Sequence, residues 1–193
     1  LTWGDPWSEY AMILKIIKSG MLTPAYYPDQ EPALHTLIAA ASHYVQVGAM
    51  PLQKYIVPAF SSLSLLALYG IAREFFDEET ALASALLLSV GTAYIHWASQ
   101  AVTESLGIPL ALIALYLSYR AIMNAGHLPA CCTIIAGLVL THHLSTLIFI
   151  IWYNSFALAH LYFRSENRIE ALRGLFISVF SLALALGAPP FMA

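Results

Sequence analysis

The longest uncharged stretch of the sequence constrains the fold more than any other feature. Residues 121–163, 43 in a row, contain no Lys, Arg, Asp or Glu. A single α-helix of that length would be about 64 Å long, roughly twice the hydrocarbon thickness of a bilayer. The stretch must therefore fold back on itself, and its polar break is the segment 141–145, Thr-His-His-Leu-Ser. We predict the turn there, with His142 and His143 in a polar cavity below the membrane surface.

Composition extends this conclusion to the whole chain. Of its 193 residues, 60% are hydrophobic and 10% are charged, whereas a soluble domain carries about 25% charged residues. Backbone polar groups must be paired in lipid, and long continuous apolar runs select helices over a closed barrel. The sequence therefore predicts an all-α, polytopic transmembrane helix bundle. It has no dense basic cluster, which argues against nucleic acid as a partner.

The predicted organisation has two parts. Residues 1–54 are expected to contain an amphipathic helix ending at Gly20 and a second helix over 33–47, which is short for a span. If the second helix is interfacial, residues 1–54 are an extracytoplasmic loop; if it spans the membrane, Asp5 and Glu9 face the cytoplasm. Residues 55–193 are expected to be a bundle of about six spans. These are 55–72, 80–98, 105–120, 128–141, 145–163 and 174–189. Arginines follow the first, third and fifth spans, which predicts that those loops lie on the inner, cytoplasmic side of the membrane. We expect the chain to be a fragment lacking both natural ends.

Uncommon polar residues collect on the predicted outer side of the membrane. They are Asp5, Glu9, Asp29, Glu31, Glu104, His142 and His143. Ionisable residues at membrane depth are costly and usually functional, and acids beside imidazoles act as general bases or bind divalent ions. Simpler roles stay open, because Asp5 suits a helix cap and Glu9 and Glu104 suit the positive ends of helix dipoles.

Short elements within residues 3–120 resemble, in the same order, membrane glycosyltransferases of the GT-C class. The relevant families are the protein O-mannosyltransferases and the aminoarabinose-type lipid A transferases. The matching elements are Asp5-Pro-Trp-Ser-Glu9-Tyr10 through Gly20, Tyr27-Pro28, Glu31-Pro32-Ala33-Leu34, the segment 68–73 and Thr103-Glu104-Ser105. The resemblance implies a GT-C-like bundle whose interfacial helices lie on the outer face of a prokaryotic cytoplasmic membrane.

The chemistry implied by this resemblance is inverting transfer of a sugar from a polyprenyl-phosphate donor. The acceptor would be a protein, a lipid or a glycan, and Asp5 or Glu9 would be the catalytic general base, because the adjacent acids of those families are separated here. Substrate contacts would come from Lys15, Lys18, Tyr27, Glu104, His142 and His143. A divalent cation held by Glu31 or His142 is the alternative source of positive charge for the leaving phosphate.

Two other classes of protein also fit the sequence. A lipid or polysaccharide transporter or flippase would have broken helices near the bilayer midplane and internal repeats. Pro58 and Pro109 lie within spans, but no repeat is evident. A non-catalytic membrane scaffold would tolerate the loss of Asp5 and Glu9.

Overall fold

The computed structural model describes residues 6–21, 32–100, 102–164 and 168–187. Those ranges contain nine α-helices and no strand, which confirms the predicted all-α class. The helices are α1 (Pro6–Ser19), α2 (Ala33–Val45), α3 (Ala49–Phe75), α4 (Glu78–Val90), α5 (Thr92–Ser99), α6 (Glu104–Met123), α7 (Leu128–Thr141), α8 (His143–Arg164) and α9 (Arg168–Gly187). A short 3-10 turn, Ala125–His127, precedes α7.

Apart from the second, each predicted span falls on one helix where the structure describes it, and the fourth has the same bounds as α7. By length and composition, α3, α6 and α9 are each able to cross a membrane within the described ranges. The pair α4 and α5 makes a fourth crossing only if both helices are counted together. The helix ending at Thr141 and the apolar residues 143–159 of α8 are shorter. Six crossings therefore stay a prediction.

The structure differs from the sequence prediction at the second span, 80–98. Gly91 separates α4 from α5, and the two helix axes are bent by 63°. Gly91 takes an extended conformation, with φ −64° and ψ 121°, and its N–H closes α4 on the carbonyl of Leu88 at 3.0 Å. Glycine is a weak helix former because it loses the most backbone entropy, so the apolar run breaks at this residue.

The central helix of the bundle is α6, which contacts α3, α7, α8 and α9. Its inner face packs into the main apolar cluster, whose buried members are Ala114, Ala121, Ile122, Cys131, Ile135, Leu138, Phe149, Tyr153, Ala157 and Ile177. The buried hydroxyl of Tyr153 donates to the carbonyl of Gly174 at 3.0 Å and so ties α8 to α9. Because α6 touches most of the other helices, its first turn is held firmly in place.

A second apolar cluster fixes α1 and α2 on the bundle. Its buried members are Ile13, Leu34, Ile38, Ala39, Ala49, Val57 and Leu106. Ile13 is fully buried, whereas Lys15 and Lys18 on the same helix are exposed, so α1 is amphipathic as predicted. The cluster joins α1 and α2 to the start of α3 and the start of α6. It thereby brings residues of the N-terminal segment to one end of the bundle.

The opposite end of the bundle is rich in charge. Arg120 donates to Glu74 at 2.7 Å, and Arg173 donates to the carbonyl of Ile122 at the end of α6 at 3.0 Å. Asp77 begins α4 by accepting from the backbone N–H of Thr80, and the hydroxyl and N–H of Thr80 lower its pKa. The arginines from which the inner side is predicted therefore lie together with acids at this end, and which side of the membrane it faces stays a prediction.

Gly107 marks the closest approach of α6 to the start of α8. A Cβ added there would lie 2.7 Å from Ser145 Oγ and 2.8 Å from His142 Cβ. We expect Gly107→Ala to lower the free energy of unfolding by about 1–3 kcal/mol, because the two backbones must separate. The melting temperature of the protein in detergent measures this loss. Gly137→Ala is the control, since its Cβ meets nothing within 4 Å, and equal melting temperatures for both variants would contradict the close packing.

Candidate active site

The first feature of the candidate site is a contact between a carboxylate and an imidazole. Glu9 lies in the first turn of α1, and its Oε2 meets Nε2 of His35 on α2. The side chains are 14% and 4% exposed respectively, so the contact is largely shielded from solvent. Ile13, one helical turn after Glu9, and Leu34, next to His35, are both buried in the second apolar cluster. Packing of α1 on α2 therefore holds the Glu9 carboxylate against His35.

The second feature is a similar pair, formed by Glu104 and His142. Glu104 opens α6, and its Oε1 lies 3.7 Å from Nε2 of His142. The side chains are 21% and 5% exposed, so the carboxylate is the more accessible partner. The accessible carboxylate of this pair is therefore available to a polar ligand.

His142 caps α8 and is oriented by that role. The backbone N–H of Ser145 donates to Nδ1 of His142 at 3.2 Å, and the Ser145 hydroxyl lies 2.7 Å from the same nitrogen. A backbone N–H can only donate, so Nδ1 is an acceptor and the ring proton is on Nε2. That N–H faces Glu104. The fold of the turn thus fixes both the ring orientation and the tautomer of His142.

The start of α6 is held by a network of serines and a tyrosine. The Ser105 hydroxyl donates to the carbonyls of Trp97 and Gln100 at the end of α5, while the Ser105 carbonyl accepts from Ser61 at 2.9 Å. Tyr94 donates to the carbonyl of Ser61 at 2.8 Å. These bonds connect α3, α5 and α6 immediately beside Glu104. They position its carboxylate without involving the carboxylate itself.

The two pairs lie at the same end of the bundle. Leu34, next to His35, packs against the turn of α6 that contains Ser105 and Leu106, and α2 also contacts α7. Glu104 and Arg120 are separated by about 24 Å along α6, so the pairs are far from the inner charged end. Of the residues that were expected together on the outer side, Glu9, Glu104 and His142 do lie at one end of the bundle. A cavity shared by the two carboxylates stays a prediction.

The remaining predicted site residues are placed less favourably or fall outside the structure. Lys15 and Lys18 are exposed on α1, and Lys18 is about 14 Å along the helix from Glu9. His143 is half-buried, with its ring 5.6 Å from that of His142. Three predicted site residues lie outside the described residues: Asp5, Tyr27 and Glu31.

A divalent cation was the predicted alternative to the lysines. Within the part of the chain that the structure describes, no group of three His, Cys, Asp or Glu side chains is arranged to hold a metal ion. His142 has Glu104 beside it, which makes a pair rather than a set of three. Glu31 lies outside that part, so a metal site involving Glu31 stays a prediction.

Sequence reasoning missed His35 and Ser145 as members of the site. His35 is not among the residues that the sequence singles out, yet it contacts an acid 26 positions earlier in the chain. A signal was present, since a histidine on the same apolar face as Leu34 and Ile38 requires a polar partner when it is buried. Ser145 follows His142 by three positions, which is the spacing between a helix cap and the N–H that it accepts from.

Comparison with protein families adds the deciding observation. Residues 30–192, most of the chain, match the family model described as dolichyl-phosphate-mannose-protein mannosyltransferase. The chain belongs to this mannosyltransferase family. The family indicates a membrane glycosyltransferase that uses a dolichyl-phosphate-linked sugar donor. A comparison with curated proteins finds no match for the chain.

The family match covers only part of the candidate site. It extends through residue 192, well beyond the range 3–120 in which short elements resemble the GT-C class, and it includes Glu104, His142 and His35. It begins at residue 30, after α1. Glu9 lies outside the family match, so its candidacy rests on its contact with His35 and on the resemblance of the N-terminal segment.

The capping role of His142 gives a stability prediction. His142→Asn keeps a side-chain acceptor suited to a helix cap, whereas His142→Leu removes it. We expect the Leu variant to be less stable than the Asn variant by about 1 kcal/mol, measured by thermal unfolding in detergent. Both variants lose the imidazole that faces Glu104, so they are matched in that respect. Equal melting temperatures for the two would refute the capping role.

Proposed function

We propose that this protein transfers mannose from a polyprenyl-phosphate donor to an acceptor hydroxyl on the outer face of the membrane, with inversion at the anomeric carbon. The observation that carries the proposal is the contact between Glu9 and His35 at one end of a bundle that belongs to a mannosyltransferase family. A carboxylate oriented by an imidazole and placed at the membrane boundary suits general-base catalysis. Among the described acids at this end, Glu104 is the one other acid that lies beside an imidazole.

In the proposed reaction, the Glu9 carboxylate removes the proton of the acceptor hydroxyl as the hydroxyl oxygen attacks the anomeric carbon. The bond from that carbon to the phosphate oxygen breaks, and the polyprenyl phosphate leaves with the electron pair. Attack opposite the leaving group inverts the anomeric configuration. His35 acts as a positioning residue, because its ring nitrogen holds the Glu9 carboxylate. Asp5 is the alternative base.

We assign Glu104 and His142 to the binding of the sugar. An ionised carboxylate accepts hydrogen bonds from hydroxyl groups and recognises them without reacting. His142, fixed by the turn, keeps the Glu104 carboxylate in one orientation. Lys15 and Lys18, exposed on α1, would supply the positive charge that stabilises the leaving phosphate.

A transporter or flippase is the second candidate, because one span of the bundle is broken. The 63° bend between α4 and α5 resembles the discontinuous helices of transporters. The residues on each side of Gly91, however, are Val90 and Thr92, and neither is charged. A transporter would move the lipid-linked sugar unchanged, so formation of a glycosylated product distinguishes the two functions. A non-catalytic scaffold would neither move the lipid-linked sugar nor form a glycosylated product.

Substitution of the proposed base tests the assignment directly. Glu9→Gln should lower sugar transfer about a hundredfold or more, since general-base catalysis contributes that much, while Asp5→Asn should have a smaller effect. The assay is transfer of radiolabelled mannose by the full-length protein in membranes, at matched expression. Glu79→Gln, an exposed acid at the start of α4, is the control. Loss of transfer in Asp5→Asn together with normal transfer in Glu9→Gln would contradict the assignment and identify Asp5 as the general base.

Labelling of introduced cysteines tests the proposed outer location. Lys18→Cys on α1 should react with a membrane-impermeant maleimide in intact cells, whereas Glu79→Cys should react only after permeabilisation. Both positions are exposed in the fold. Wild-type protein is the background control, because Cys131 is buried and Cys132 is half-buried within α7. Labelling of Glu79→Cys but not Lys18→Cys in intact cells would reverse the orientation.

A further inference from the structure

A crevice lined by aromatic rings opens on the flank of the bundle, near the charged end where Arg120 meets Glu74. Its volume is about 100 Å³, and it lies between α3, α6 and α8. Phe75 and Trp152 in its lining are exposed, so the crevice is open to whatever surrounds the bundle. Each helix contributes two residues spaced by one turn, and Tyr116 completes the lining of this aromatic crevice: Ile71 and Phe75, Leu115 and Tyr119, and Trp152 and Phe156.

One end of the aromatic crevice adjoins an ion pair between two of the same helices. Glu74 precedes Phe75 on α3, and Arg120 follows Tyr119 on α6. The Arg120 guanidinium donates through Nη1 to Oε1 of Glu74 at 2.7 Å. The Arg120 and Glu74 side chains are nevertheless 40% and 26% exposed, so a ligand can reach both charges. The aromatic crevice therefore has charges of both signs at one end and apolar side chains along its length.

The position of the aromatic crevice along the helices matches the upper part of one lipid leaflet. Phe75 is the last residue of α3, and Tyr119 lies four residues before the end of α6. Ile71, Leu115 and Trp152 lie one turn, about 6 Å, further from the charged end. Tyrosine and tryptophan are enriched where membrane helices meet the headgroup region. The ion pair is therefore at headgroup level, and the crevice extends from it into the acyl region.

We propose that the aromatic crevice binds a phospholipid whose headgroup carries a primary ammonium, as in phosphatidylethanolamine. The first methylene groups of one acyl chain lie along the crevice. The lipid phosphate accepts from the Arg120 guanidinium, and the lipid ammonium donates to the Glu74 carboxylate. The site is at the opposite end of the bundle from the candidate active site, and the inference does not depend on the proposed function.

Charge complementarity selects this headgroup over other common ones. With the ion pair intact, a phosphate beside Arg120 and an ammonium beside Glu74 give each charge a neighbour of opposite sign. A purely anionic headgroup would add negative charge to an end where residues 73–79 include four acids and one arginine. A trimethylammonium headgroup has no N–H to donate to the Glu74 carboxylate. The ion pair therefore favours a headgroup that carries both an anion and an N–H donor.

The shape of the aromatic crevice favours a retained lipid over one that exchanges freely with the bilayer. The ring centroids of Phe75, Tyr119 and Phe156 are 5.1–6.0 Å apart, so the rings hold one another in place. A chain in the crevice contacts three helices, whereas a chain beside Leu172 and Leu175 contacts one face of α9. More dispersion contacts to a preorganised surface strengthen binding.

Photo-crosslinking in lipid nanodiscs tests the site. The full-length protein is placed in phosphatidylcholine nanodiscs with a small fraction of phosphatidylethanolamine or phosphatidylglycerol, each with a diazirine on the acyl chain near the glycerol. Mass spectrometry maps the adducts. We expect the phosphatidylethanolamine probe to label 71–75, 115–119 and 152–156 about tenfold more than the phosphatidylglycerol probe, since hydrogen bonds between charged groups contribute enough for that ratio. Equal labelling by the two probes, or stronger labelling by phosphatidylglycerol, would overturn the headgroup assignment.

Variants separate the headgroup contact from the apolar contacts. Glu74→Gln keeps the size of the side chain but loses the carboxylate, so the ratio between the two probes should fall to about one or below. Glu79→Gln, an exposed acid at the start of α4, should keep the wild-type ratio. Trp152→Ala should reduce labelling by both probes, whereas Phe176→Ala, an exposed aromatic on α9, should not.

The comparison of the two probes on wild type stands even where a variant fails to fold. Wild-type adducts spread as densely over α9 as over the aromatic crevice would overturn the site itself. Neither readout uses sugar transfer, so a protein that transfers no sugar can still confirm the lipid site, and an active transferase can still refute it.

Discussion

The turn at His142 is the constraint on which the rest of the structure depends, because it interrupts a helix inside an uncharged stretch where unpaired backbone groups are costly. The turn satisfies its own polar groups. His142 N–H donates to Leu138 at 3.1 Å, and the His142 carbonyl accepts from the N–H of Thr146 at 3.0 Å. The ring of His142 accepts the N–H of Ser145. One short polar segment thus ends α7, begins α8 and places an imidazole N–H towards Glu104.

The arrangement of the candidate site is a consequence of that turn. Because Gly107 has no side chain, α6 comes close enough to the start of α8 for Glu104 to meet His142. The same approach places Ser145 at the head of an apolar groove between α4 and α8. A second acid, Glu9, is brought to this end by the packing of Ile13 among α2, α3 and α6 residues. One end of the bundle therefore combines two carboxylates, each beside an imidazole, with an apolar surface.

The sequence predicted the helical class, the turn near 141–145 and the bounds of α7, because the absence of charge over 121–163 leaves few alternatives. It also identified Glu9, Glu104 and His142 as candidates, since acids near membrane segments are uncommon. It did not predict the partner of Glu9, because His35 is 26 residues away and the pairing depends on how α1 packs on α2. The break at Gly91 was missed because a single glycine is tolerated in many membrane helices. Asp5, Tyr27 and Glu31 stay predictions.

The central claim is that a lipid-linked sugar is chemically transferred at the outer end of the bundle rather than moved across the membrane. The most direct measurement follows both products when the full-length protein, reconstituted in vesicles, acts on mannosyl polyprenyl phosphate. We predict that free polyprenyl phosphate and mannosylated acceptor form in equal amounts, and that the new linkage has the opposite anomeric configuration to the donor. Intact donor recovered on the other side of the membrane, with no free polyprenyl phosphate, would contradict the account and identify a transporter.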